Sequence, residues 1–216
     1  MHEFKETINL SIDNVILQGE LVLPVEAKGI VLFAHGSGSS RFSPRNQFVA
    51  QHLQKNQLGT LLVDLLTKEE EEIDASTKVL TFNIEFLAHR LFLISEWLLA
   101  DARTKNLSLG LFGASTGAAA ALNVAAQMGS KISGVVSRGG RPDLAMSLLS
   151  KVSASTLLIV GGDDFIVIEL NQKAYERLTC IKNFEIIPGA THLFEEKGAL
   201  EKVASLSAQW FINHLT

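Results

Sequence analysis

Cysteine is almost missing from these 216 residues: Cys180 stands alone. A single cysteine has no internal partner, so no disulfide framework staples the chain, and a zinc site built from several thiolates is excluded. No apolar run reaches the 18 or so residues that a membrane-crossing helix needs. The opening residues, Met-His-Glu-Phe-Lys-Glu-Thr, hold no apolar stretch of the kind that directs export. Net charge is -4 and no basic stripe is present, which argues against nucleic acid as a partner. Internal repeats, linkers and low-complexity tracts are absent too. These absences point to a cytoplasmic globular protein without nucleic-acid or membrane partners, and nothing in the chain calls for a metal or a cofactor.

What is present is material for a core. Hydrophobic residues make up 47 % of the chain and charged residues 19 %, enough for one compact domain over residues 1–216. Residues 4–12 and part of 15–23 alternate apolar and polar side chains around Asp13-Asn14, which predicts an antiparallel hairpin with one solvated face. From residue 29 the pattern changes. Short stretches at 29–34, 60–63, 107–112, 132–136, 156–160 and 184–187 are apolar throughout, as strands buried on both faces are. Helical stretches lie between or after them near 45–56, 82–103, 116–129, 142–150, 168–179 and 198–214. This alternation predicts an α/β fold: a mostly parallel sheet of about eight strands, helices on both faces, right-handed crossovers, and no large cap. One segment resists the scheme. Residues 67–78 contain Glu69, Glu70, Glu71, Glu72 and Asp74, which read as a solvated loop or helix start. Carboxylates gathered for a divalent cation are the sharper alternative, but no second ligand cluster supports it.

The densest chemical signal is Gly110-Leu-Phe-Gly-Ala-Ser-Thr-Gly-Ala-Ala119. Ser115 lies between Gly113 and Gly117, with an apolar strand before it and an alanine-rich helix after it. Strand, sharp turn and helix with serine at the apex present a nucleophile at the tip of a parallel strand. Glycine two residues to either side removes the collisions that such a tight turn would cause.

A serine hydroxyl needs a base, and the base needs a group that holds its tautomer. Of six histidines (residues 2, 35, 52, 89, 192 and 214), only His192 and His214 follow the serine by enough chain to return on a later loop. His214 falls in the terminal amphipathic helix and is expected on the surface. His192 sits in Pro-Gly-Ala-Thr-His-Leu-Phe, just past a strand, at the sheet edge where Ser115 emerges, and is the expected base. The acid should come from another strand end: Asp163 and Asp164 both leave the sheet there, and Asp143 is a third candidate. The residues alone do not choose among them. An oxyanion hole needs two backbone N–H groups. Thr116, directly after the nucleophile, should supply one. The glycine-rich loop His35-Gly-Ser-Gly-Ser-Ser40 should supply the other, from Ser37, with His35 as a structural hydrogen-bonder.

These residues resemble an α/β-hydrolase, and within that group a dienelactone hydrolase-like protein, over essentially the whole chain. The resemblance is carried by His35-Gly36-Ser37-Gly38, by Gly113-Ala114-Ser115-Thr116-Gly117, by residues 161–167 and by Ala190-Thr191-His192. The family's acid follows the pattern Gly-x-x-Asp-x-x-Val, and the resemblance therefore implies Asp164 as the third triad member. Dienelactone hydrolases proper use cysteine as nucleophile where this chain has Ser115. The stretches 39–46 and 137–143 resemble a subgroup sometimes fused to a phosphoribosyltransferase domain, and no such domain occurs in these 216 residues.

The same two stretches carry Arg41, Arg45, Arg138 and Arg141 at one predicted edge. Four guanidinium groups could hold a carboxylate or phosphate on a substrate. Alternatively they bridge loops to Asp143 or to the acidic segment. The expected function is a serine hydrolase acting on a small soluble ester, thioester or lactone, anionic if the arginines serve it. Phosphoribosyl or nucleotide transfer is a poorer reading, because Phe165-Ile-Val-Ile168 replaces the phosphate loop it would need and no Gly-x-x-x-x-Gly-Lys-Ser/Thr loop occurs. A non-catalytic scaffold on the same fold is the third.

Overall fold

A computed structural model describes residues 4–215; the first three residues, and with them His2 and part of the stretch read for export, lie outside the described residues. Strands β1 (Phe4–Ile12) and β2 (Val15–Leu23) pair antiparallel with Ile12 opposite Val15, so Asp13-Asn14 is the whole turn. Asp13 takes φ 51, a conformation that aspartate tolerates better than most residues. Ile8, Leu10 and Ile12 are buried between exposed neighbours, the period of two that put them on one face.

The hairpin joins the sheet through β2, antiparallel to β4 (Leu58–Val63). From β4 onward the pairings are parallel: β3 (Gly29–Ala34), β5 (Ser108–Ala114), β6 (Ile132–Arg138), β7 (Ser155–Gly161) and β8 (Lys182–Ile187), in the order β1-β2-β4-β3-β5-β6-β7-β8. The chain steps from β3 outward to β4, then returns to place β5 on the other side of β3. That reversal opens a crevice at the carboxyl ends of β3 and β5, where open α/β sheets bind ligands. Residues 35–40 and Ser115 leave the sheet at those two ends.

Helices α1 (Pro44–Lys55) and α6 (Ala199–His214) cover one face over Val31, Phe33, Phe112, Val136 and Ile159. Phe33 and Phe112 stack across neighbouring strands at 4.7 Å between ring centroids, worth about 1 kcal/mol beyond their burial. Helices α3 (Ile84–Ala100) and α4 (Thr116–Met128) cover the opposite face over Leu32, Leu111 and Val135. Among the described residues no helix is long and apolar enough to cross a membrane.

Two expectations are corrected. Residues 142–150 do not form an α-helix but two 3-10 turns, Pro142–Ala145 and Leu149–Lys151; their backbone bonds close over three residues, and the Arg141–Asp143 ion pair tightens the first. Strand β8 is an edge strand, so it is only half-buried and its Lys182, Asn183 and Glu185 are polar. The acidic segment, read as a solvated loop or a helix start, is the helix start: it opens α2 (Lys68–Thr77). Thr67 and Glu70 cap its first turn reciprocally, and three glutamates face the positive end of its dipole.

Candidate active site

Ser115 sits between β5 and α4 with φ 51 and ψ −120, a strained conformation for a residue with a side chain. Two close approaches surround it. A β-carbon at Gly113 would lie 2.4 Å from Ala118 Cα, and one at Gly36 would lie 3.0 Å from Ser115 Cβ. The loop after β3 therefore lies directly against the serine, as the glycine-rich text of residues 36–38 implies.

Three chain segments meet at this rim. The Ser115 N–H donates to the Arg138 carbonyl at 3.2 Å, and the Ser115 carbonyl accepts from Arg141 N–H at 3.1 Å. The residue after Arg138, Gly139, has φ 50, and a β-carbon there would lie 3.5 Å from Cε1 of His192. Ser115 and His192 thus flank the same Arg138–Gly139 peptide. The third segment supplies Asp164, whose Oδ2 lies 2.7 Å from His192 Nδ1. The Ser115 hydroxyl itself makes no hydrogen bond with a described residue.

Of the three candidate acids, Asp164 is the one that meets His192. Asp163 is exposed, its backbone N–H tied to the Ala190 carbonyl. Asp143 takes two hydrogen bonds from Arg141, both 2.8 Å. The remaining late histidine, His214, is half-buried instead of exposed: it stacks on Trp210 at 4.3 Å and bonds that residue's carbonyl.

Of the expected oxyanion donors, Thr116 follows the serine directly and Ser37 follows Gly36, which lies against the serine. Thr116 is the first residue of α4, so its N–H points out of the helix start with no intrahelical acceptor. The Ser37 N–H has no acceptor among the described residues. Ser37 Oγ donates to Thr81 Oγ1 at 3.0 Å. Behind Thr81, the buried Asp74 accepts from the N–H groups of Leu80 and Thr81 at 2.7 and 3.3 Å. Burial pushes the Asp74 carboxyl up, but its contacts with Thr81 and Leu80 outweigh that and hold it low. The acidic segment thus buttresses the loop that carries Ser37.

His35 is structural, as expected. The Leu65 N–H donates to its Nε2 at 3.0 Å, so Nδ1 carries the proton and donates to the Gly36 carbonyl, also at 3.0 Å. Burial drives its pKa down and keeps the ring neutral. Sequence reasoning missed one neighbour of this network. Arg90 is buried in α3, donates to the Leu65 carbonyl at 2.7 Å, and grips both oxygens of Glu70 at 2.5 and 2.7 Å. An arginine inside an otherwise apolar helix is the signal that could have flagged it.

The four arginines separate. Arg41 ties its loop to Asp64 after β4 and to Gln18 of β2, whereas Arg141 pairs with Asp143 two residues on, within its own loop. Arg45 pairs with Glu195 at 2.9 Å, while Arg138 is buried and its Nε and Nη1 have no partner among the described residues.

No protein-family model matches the chain. It is 54 % identical to a dienelactone hydrolase from Anabaena variabilis whose crystal structure covers 99 % of both chains with a TM-score of 0.97. It is 50 % identical, over 97 % of its length, to Mycobacterium tuberculosis proteins provisionally named as phosphoribosyl transferases. The chain spans only 46 % of those relatives. Two further solved structures share the fold at much lower identity: Est1E of Butyrivibrio proteoclasticus (13 %, TM-score 0.81, 96 % of this chain and 98 % of that one) and the esterase Pf2001 of Pyrococcus furiosus (18 %, TM-score 0.80, 99 % and 94 %).

Proposed function

This chain belongs to the dienelactone hydrolase-like family of the α/β-hydrolases, and we propose that within it the protein is a serine hydrolase of small soluble esters, thioesters or lactones. The observation that carries this reading is the 2.7 Å contact between His192 Nδ1 and Asp164 Oδ2, set against the Arg138–Gly139 peptide that also holds Ser115.

In this mechanism Ser115 Oγ attacks the acyl carbon while His192 Nε2 takes its proton. Asp164, hydrogen-bonded to Nδ1, holds the tautomer and steadies the imidazolium that forms. The N–H groups of Ser37 and Thr116 bind the oxyanion of the tetrahedral intermediate. His192 then protonates the leaving oxygen or sulfur. A water, activated by the same imidazole, releases the acyl group and restores the serine. Strain at Ser115 favours this chemistry because the hydroxyl is already presented when substrate arrives.

The name shared by the Mycobacterium tuberculosis relatives belongs to proteins about twice this length, and residues 165–168 of this chain form the apolar start of α5 (Phe165–Arg177), not a phosphate loop. The test is labelling with a fluorophosphonate probe. One covalent adduct that disappears in Ser115→Ala, together with turnover of p-nitrophenyl acetate, supports the hydrolase. Absence of labelling in the native protein would turn the reading toward a non-catalytic scaffold.

A further inference from the structure

Arg138 is the last residue of β6, two positions after Val136, so its side chain leaves the sheet on the face covered by α1 and α6. It is 7 % exposed, its Nε and Nη1 are enclosed by protein without a hydrogen-bond partner, and no carboxylate pairs with it among the described residues. Arg45, in the first turn of α1, is its charged neighbour. Burial, with the charge of Arg45, pushes the Arg138 guanidinium down to about 10. Arg45 spends Nη1 on Glu195, while its own Nε is likewise enclosed and unpartnered. Glu196 accepts from Thr191 at Oε1 and its Oε2 is also enclosed without a partner, yet it forms no ion pair with either arginine. The first turn of α1 contains no acidic residue to offset the positive helix end. Two like charges held together, one of them buried without a counter-ion, are strongly unfavourable unless an anion completes the arrangement.

We propose that Arg138 and Arg45 form a niche for one small oxyanion, a carboxylate or a phosphate group, directly behind the Ser115 rim. The Arg138 guanidinium supplies a fixed, unpaired charge that reaches the surface only through the small part of the residue left exposed, and Arg45 with the start of α1 supplies the opposing wall. The backbone carbonyl of Arg138 already holds the Ser115 N–H, so the niche lies one residue from the proposed nucleophile. Its occupant is either an acidic group on the acyl substrate, which rests on the hydrolase reading, or a free anion, which does not.

The experiment is titration with inorganic phosphate, read by calorimetry and by thermal melting, on the native chain, Arg45→Gln and Arg138→Met. Saturable binding is expected, with a Tm rise of about 5 °C or more at a hundredfold excess over Kd. Arg45→Gln should weaken binding about tenfold or more. Arg138→Met should remove the response, yet melt no lower than the native chain in phosphate-free buffer, because an uncompensated buried charge is gone. If that variant fails to fold, Arg45→Gln carries the test. Lack of saturable binding, or equal binding in Arg45→Gln, would overturn the niche. The source follows from kinetics with p-nitrophenyl hemisuccinate. Competitive inhibition by phosphate assigns the niche to the substrate's own carboxylate; phosphate that binds without inhibiting assigns it to a free anion. A protein that hydrolyses no ester but still binds phosphate would sink the serine mechanism and leave the niche standing.

Discussion

Gly117 in the first turn of α4 faces the carbonyl oxygen of Ala34 at the end of β3, and a β-carbon on it would lie only 2.2 Å from that oxygen. The contact is backbone to backbone, so no side chain can swing away to relieve it. It clamps the helix behind Ser115 onto the strand that leads into the glycine-rich loop at 35–40.

Gly117→Ala should therefore destabilise the fold by about 3 kcal/mol or more, near the upper end for overpacked sites. Gly38 provides the contrast: its φ is 68, and a β-carbon there would meet no atom within 4 Å. Its alanine variant should cost only about 1 kcal/mol, from the backbone conformation alone. Urea unfolding of the two variants measures the difference, and equal losses would contradict the clamp.

Asp163 and Asp164 are adjacent but only the second reaches His192. Asp164→Asn should lower kcat toward p-nitrophenyl acetate by about 10⁴-fold, as expected when the triad's orienting carboxylate is lost. Asp163→Asn, at an exposed position, should change it by no more than about twofold. A larger loss from the second substitution would assign the acid to the wrong residue.

The hydroxyl of Thr81 accepts from Ser37 and so steadies an expected oxyanion donor. Thr81→Val should reduce kcat with little change in KM, by less than the roughly 10²- to 10³-fold lost when such a donor is removed outright. Thr81→Ser should restore most of the rate. Failure of serine to rescue would mean that the methyl packing, not the hydroxyl, matters.

His35 is neutral in the fold and its pKa is lowered by burial. Its unfolded form binds a proton near pH 6.5 while the folded form resists. The stability it contributes is therefore complete above about pH 6.5 and declines as pH falls below that value. Tm measured from pH 8 to pH 5 should fall over that range for the native chain and more shallowly for His35→Gln, which starts from a lower Tm because a buried network is disturbed.

Arg90 holds both oxygens of Glu70, and these hydrogen bonds lower the Glu70 pKa against the opposing effect of burial. The stabilisation is present above the ordinary glutamate range and is lost as pH drops through the lowered value. Glu70→Gln leaves a buried guanidinium short of its partner. About 1–3 kcal/mol should be lost, less than for a fully buried pair because Glu70 is partly exposed. The exposed Glu72 is the control, and its glutamine variant should lie within about 0.5 kcal/mol of the native chain.

Much of the architecture was legible in the amino-acid text. The hairpin turn at Asp13-Asn14, the buried strands β3 to β7 and the serine between Gly113 and Gly117 are features of local spacing, and each was found where the spacing placed it. Local pattern failed where local rules compete. Residues 142–150 have helical composition, yet Pro142 and the Arg141–Asp143 pair favour 3-10 turns. The glutamates at 69–72 left a solvated loop and a helix start both open, and a reciprocal cap with Thr67 and a distant arginine decided for the helix.

By itself the sequence determined which residue types carry chemistry and on which kind of element each stands, because periodicity and glycine placement are properties of neighbours along the chain. Which side chains touch was decided only by tertiary structure. Asp164 reaches His192 across 28 residues, Ser37 reaches Thr81 across 44, and Arg45 reaches Glu195 across 150. Those pairings depend on strand order and on the direction in which each side chain leaves its strand. Neither is encoded in any single window of the chain. The same physics left Arg138 buried without a counter-ion: its strand register, not its neighbours along the chain, put the charge under the sheet's edge.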